Sequence, residues 1–167
     1  VVMLGTNDCK AVYSGRVEEV PAHLSALIDS IRSLTSMQPT PPAIYIVSPP
    51  PYGPEEMLAE KYRGAGARLQ WLVPQMMAVA LAKKCAFVDT YSALLPHIER
   101  YTVDGVHLKP RASRRIAGEV RAFLDAYGAV EGDDTRTKQR DERMREVRIE
   151  SSSDGTMQPA FFYGSDS

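Results

Sequence analysis

Three short apolar runs, Val1-Val2-Met3-Leu4, Ala43-Ile44-Tyr45-Ile46-Val47 and Cys85-Ala86-Phe87-Val88, alternate with stretches of helical periodicity, and this alternation constrains the fold more than any other feature. Apolar runs of this length bounded by turn residues read as buried strands. Between the first two, Leu24, Leu27, Ile28, Ile31 and Leu34 recur at spacings of three and four behind Pro21, which predicts a helix from Val20. Gln38-Pro39-Thr40-Pro41-Pro42 ends it, because successive prolines remove donors and disfavour helical backbone before them. Residues 55–84 read as helix in two pieces, broken around Arg63-Gly64-Ala65-Gly66; the second carries Leu69, Leu72, Val73, Met76, Met77, Ala80 and Leu81 on one side. After the third run, Pro110 opens a helix with Ala112, Ile116, Val120, Phe123 and Leu124 at helical spacing. Strand and helix in alternation require right-handed crossovers and a parallel sheet covered on both faces.

In an open parallel sheet, ligands bind beyond the carboxyl ends of the strands. Three segments are expected at that edge. Gly5-Thr6-Asn7-Asp8 leaves the first run, Ser48-Pro49-Pro50-Pro51-Tyr52-Gly53-Pro54 the second, and Asp89-Thr90 the third. The proline-rich stretch reads either as one wall of a pocket, with Tyr52 as an aromatic contact, or as a stiff connector. Asp89 is a carboxylate near the expected site, but reads first as the N-cap of the Tyr91–Leu95 turn. A fourth segment, Asp104-Gly105-Val106-His107, lies directly before the Pro110 helix. Taken singly, Asn7-Asp8 and Asp104-Gly105 are also ordinary turn or capping chemistry. Residues 9–19 read as a loop turning at Ser14-Gly15, with His23 and His97 at the surface.

Gly-Thr-Asn-Asp closing a strand, followed much later by Asp-x-x-His opening a helix, resembles the third and fifth sequence blocks of the SGNH (GDSL) hydrolases, a family of serine esterases and lipases. The resemblance covers about residues 1–127. It implies an α/β fold: a three-layer α/β/α sandwich on a flavodoxin-like parallel sheet, in which the runs seen here are the third, fourth and fifth strands and the first strands are missing. It implies hydrolysis of a small-molecule carboxylic ester by a Ser-His-Asp mechanism, with Asp104 and His107 as triad acid and base and Asn7 in the oxyanion hole. The family's nucleophile lies in a Gly-Asp-Ser block, and no Gly-Asp-Ser occurs in the sequence. Ser14 and Ser48 fall near the rim, but neither sits in a strand-to-helix nucleophile turn. The chain is therefore expected to be an incomplete esterase, inactive alone; the alternative is a catalytically dead remnant or binding module that keeps the fold. A sheet starting at its third strand would leave an apolar edge unpaired and the polypeptide poorly soluble.

Other classes find less support. Lys plus Arg total 20 against 21 Asp plus Glu, a formal charge of −1, so no global field favours nucleic acid. The three histidines are scattered and the two cysteines unpaired in sequence, so no zinc-ligand spacing appears and no metal or cofactor is expected. Gly64-Ala65-Gly66 follows a helix rather than a strand, unlike a dinucleotide-binding turn. Cys85 reads as a small buried hydrophobe, and Cys9 as a passive loop residue or a lining of the site. No run of about 20 apolar residues offers a membrane span. The sequence opens in mid-strand, so a targeting segment would lie outside it, and nothing in it speaks to oligomeric state. Residues 1–128 are expected to form the hydrolase-type domain; 129–167, rich in alternating charge and then low in complexity, are expected to be a disordered tail.

Overall fold

A computed structural model describes residues 1–39, 42–131, 145–150 and 157–162. The strands are β1 (Tyr45–Val47), β2 (Ala86–Val88), β3 (Arg145–Glu150) and β4 (Met157–Phe162). The helices are α1 (Val20–Thr35), α2 (Ala65–Ala82), α3 (Thr90–Leu94), α4 (Ile98–Tyr101) and α5 (Pro110–Glu131). β1 and β2 pair in parallel, with Ile46 opposite Phe87. The first apolar run joins the other side of β1 in the same direction: Val2 bridges Ile46, its amide donating to the Tyr45 carbonyl and its carbonyl accepting from Val47, both at 2.8 Å. The order Val2, β1, β2 follows the chain, so crossovers of one hand place both connecting helices, α1 and α2, on the same face.

Alternation along the strands divides the core. Ile46 and Phe87 face one side, packing with Leu24 and Ile28 of α1 and Leu69, Leu72 and Met76 of α2. Val47, Ala86 and Val88 face the other, where Phe123 and Val120 of α5 cover them. The rings of Tyr45 and Phe123 meet edge to face, their centroids 6.1 Å apart and planes at 85°. These are the three layers expected from the sequence. Leu94, Ile98, Tyr101 and Ala112 form a smaller cluster that seats the start of α5.

Some elements differ from the expectation. Residues 9–19 are not an open loop; Ala11–Glu19 is 3-10 helical and continues into α1. The first half of 55–84 is two single 3-10 turns, Glu55–Met57 and Glu60–Tyr62, since Leu58 and Ala59 take extended backbone. α2 starts after Gly64, whose φ of +70° ends the preceding turn. The sheet also continues past β2: β4 pairs with it antiparallel at Phe161, and β3 pairs antiparallel with β4. An antiparallel edge on an otherwise parallel sheet is a common arrangement. Of 129–167, the structure describes the end of α5, β3 and β4; the remainder of the expected tail lies outside the described residues. The edge carrying the first run has Val1 at 70%, Met3 at 45% and Leu4 at 55% exposure. Beside it lies an apolar groove of about 560 Å³, lined by Met3, Leu108, Ile116, Val120 and Leu124 among others. Among the described residues, no helix is long and apolar enough to cross a membrane.

Candidate active site

Because Val2, β1 and β2 run parallel, the segments that follow them emerge at one edge of the sheet. Gly5 is the pivot of the first. Its φ of +115° is open to glycine and strained for other residues, and a Cβ there would touch Leu72 and Pro49 at 3.4 Å. The chain then enters a single 3-10 turn, Asn7–Cys9, in which Asn7 is exposed and Cys9 fully buried. Two long-range hydrogen bonds hold this turn. The Tyr52 hydroxyl donates to the Thr6 carbonyl, and Arg68 Nε of α2 donates to the Cys9 carbonyl at 2.9 Å. Burial pushes the Cys9 thiol up to about 11, against a smaller lowering by Arg68, so it is a packed, protonated group rather than a reactive one.

The Asp104–His107 segment is a tight loop closed at its base. Thr102 bridges Leu108, the Val103 amide donates to the His107 carbonyl at 2.8 Å, and Lys109 N donates to Tyr101 O at 2.7 Å. Within it, Asp104 Oδ1 accepts the amides of His107 at 2.8 Å and Val106 at 3.0 Å, while Oδ2 lies 2.7 Å from His107 Nδ1. The His107 amide first, then its imidazole and the Val106 amide, hold the Asp104 carboxyl well below the usual carboxylate range. Gly105 sits at φ +83°, and a Cβ there would fall 2.5 Å from Leu58 Cδ2. The imidazole is open to solvent, with its side chain 75% exposed. An oriented imidazole whose far nitrogen is accessible can take and return a proton.

The two segments meet on the proline-rich loop. Tyr52 reaches Thr6 through its hydroxyl, and the next residue, Gly53, donates its amide to the Gly105 carbonyl at 2.8 Å. Tyr52 does not face out as a pocket wall; it is 6% exposed, its ring against that of Tyr62 with centroids 5.8 Å apart, as suits the stiff connector. Sequence reasoning singled out Tyr52 but missed its hydroxyl's partner, and missed Gly53 and Arg68 altogether. The only signal was a Tyr-Gly pair behind three prolines.

Asp89 and Ser48, also at this edge, are engaged in hydrogen bonds. Asp89 caps α3, accepting from the Ser92 amide at 3.0 Å and the Ser92 hydroxyl at 2.6 Å. Ser48 is fully buried; its hydroxyl accepts the Tyr91 amide at 2.8 Å and donates to Asp89 at 3.3 Å. His23 and His97 are exposed, His23 lining a small cavity with Asp8 and Gly5. Among the described residues, no group of three or more His, Cys, Asp or Glu side chains converges as a metal site would.

A parallel α/β sheet flanked by helices, with a strand-end Asn turn and an Asp-His loop braced together at its carboxyl edge, defines the class: the SGNH-type hydrolase fold. The chain belongs to the GDSL-like lipase/acylhydrolase family, whose model matches residues 1–115. Among solved structures it is similar to a carbohydrate acetylesterase from Sinorhizobium meliloti, at 23% identity and a TM-score of 0.58, covering 77% of this chain and 59% of that one. It is also similar to the M. smegmatis aryl esterase, at 23% identity and a TM-score of 0.60 over 74% of this chain and 58% of that one. A further S. meliloti carbohydrate acetylesterase family member shares 28% identity at a TM-score of 0.55, over 68% of this chain and 54% of that one. The chain therefore spans less than two thirds of each of these structures. No curated protein sequence matches it.

Proposed function

We propose that these residues are the acid, base and oxyanion part of a serine esterase whose nucleophile lies in further sequence. The observation that carries the reading is the Asp104–His107 contact, held at 2.7 Å while two backbone amides fix the carboxylate. In the mechanism, Asp104 accepts a hydrogen bond from the Nδ1–H of His107 and stays ionised, which fixes the tautomer with Nε2 free as the base for a serine hydroxyl. The serine oxygen attacks the ester carbonyl, His107 takes its proton, and Asn7 donates its side-chain amide to the oxyanion. A donor of that kind lowers the barrier by about 3–4 kcal/mol in comparable sites. His107 then returns the proton to the departing alcohol, and water, activated by the same imidazole, releases the acid.

The apolar edge at Met3 and Leu4, with the groove beside α5, supports a neighbouring strand and helix as part of the folded protein. Residues 1–128 would then be the carboxyl-terminal part of the hydrolase domain. The neighbours' activities make acetate esters the first substrates to assay. A second reading, a binding module on a dead hydrolase scaffold, is favoured by the burial of Ser48, whose hydroxyl is taken up by Tyr91 and Asp89. Acetyl ester hydrolysis by the natural protein and its His107→Ala form separates them. Turnover that disappears with His107 supports the esterase; none in the natural protein supports the module.

A further inference from the structure

We infer that Tyr52 and Gly53 are positioning residues, a two-residue brace that sets the Asn7 turn and the Asp104–His107 loop relative to each other. The inference rests on the esterase reading for its catalytic meaning, though the brace itself is a matter of geometry. Tyr52 grips the Thr6 carbonyl, one peptide before Asn7, and Gly53 grips the Gly105 carbonyl, at the centre of the Asp-x-x-His loop. Consecutive Cα atoms stand about 3.8 Å apart, so both halves of the site are referred to a single peptide unit.

Three further features make the brace stiff. Pro49, Pro50 and Pro51 each hold φ near one value, so the loop has few ways to bend between β1 and Tyr52. Pro49 is itself fully buried and packs over Gly5. At the other end, the backbones of Gly53 and Gly105 approach so closely that a Cβ on Gly53 would lie 2.8 Å from Gly105 Cα and 3.0 Å from Thr102 Cγ2. The contact on the Gly105 side is with backbone, which has no flexible side-chain end to move aside. Oxyanion donor and general base must act on one carbonyl and one hydroxyl at once, so their relative placement is the quantity catalysis is sensitive to. A misplacement of about 1 Å costs on the order of a hundredfold in rate.

The test uses Tyr52→Phe, which removes one hydroxyl and keeps the ring packed on Tyr62, in the natural protein. Expected are a kcat for acetyl ester hydrolysis lower by about tenfold to a hundredfold, a KM within about twofold, and faster amide exchange in both residues 6–9 and residues 104–107. Gly53→Ala should accelerate exchange in the same two segments, entering from the opposite side. Exchange that changes only in residues 6–9 on Tyr52→Phe overturns the brace. So does an unchanged kcat in an enzyme that loses activity on Asn7→Ala. A protein with no ester hydrolysis in any form, but with both segments loosened together, upholds the brace and removes the esterase reading.

Discussion

His107 meets Asp104 twice: its imidazole Nδ1 lies 2.7 Å from one carboxylate oxygen, and its backbone amide donates to the other at 2.8 Å. The carboxylate is thereby fixed by the main chain of the residue whose ring it orients, so loop shape and imidazole tautomer depend on one group.

Asp104→Asn separates those two duties. The amide oxygen can still accept the His107 and Val106 backbone amides, so the loop should keep its shape, while the imidazole loses the charge that selects its tautomer. The expected loss in kcat is about 10⁴-fold, by analogy with the same change in other triads. Asp104→Ala should add a loosened loop, visible as faster amide exchange at 106 and 107. Full activity in Asp104→Asn would show that the pair is only structural.

Asn7→Ala should lower kcat for ester hydrolysis by about a hundredfold or more and leave the melting temperature nearly unchanged, since the side chain is exposed and the turn is held through the Thr6 and Cys9 carbonyls. A wild-type rate in this variant removes it from the oxyanion hole.

The depressed pKa of Asp104 has a signed consequence for stability. A carboxyl held below its ordinary value favours the folded state fully at pH above that value, near 3.8, and the contribution fades as pH falls from there toward the depressed value. Thermal melts from pH 7 to pH 2 should show a smaller acid-induced loss for Asp104→Asn than for the natural residue. Equal slopes would mean that the hydrogen bonds to Asp104 do not persist in solution.

The 167 residues as a separate polypeptide should self-associate. Val1, Met3 and Leu4 stand exposed on a sheet edge beside an apolar groove, an arrangement that folded chains normally pair or cover. Size-exclusion chromatography over a concentration series reads this directly, and a monomer with a cooperative melt contradicts it.

The layers of the fold were legible because they rest on local pattern: continuous apolar runs over Tyr45–Val47 and Ala86–Val88, three-and-four spacing in α1, α2 and α5. The Asp104–His107 pair was legible because the bonds of the Asp104 carboxylate, to residues 106 and 107, lie within three residues. The Tyr52–Thr6 bond spans 46 residues and depends on how two loops dock, which no local pattern encodes. The Gly53–Gly105 contact was hidden for the opposite reason, since it is made by backbone and lack of side chain. Residues 11–19 and 55–62 were misread in detail because short 3-10 turns carry neither the strand nor the α-helix period. Strand β3 was missed because its residues are mostly charged, and β4 because Pro159 interrupts its short run.

The most direct measurement is labelling of the natural protein with a fluorophosphonate, followed by mapping of the modified residue, in parallel with His107→Ala. The account predicts one modified serine, in a Gly-Asp-Ser block outside these 167 residues, and loss of labelling when His107 is removed. A protein that takes no label, or is labelled equally well without His107, would contradict it.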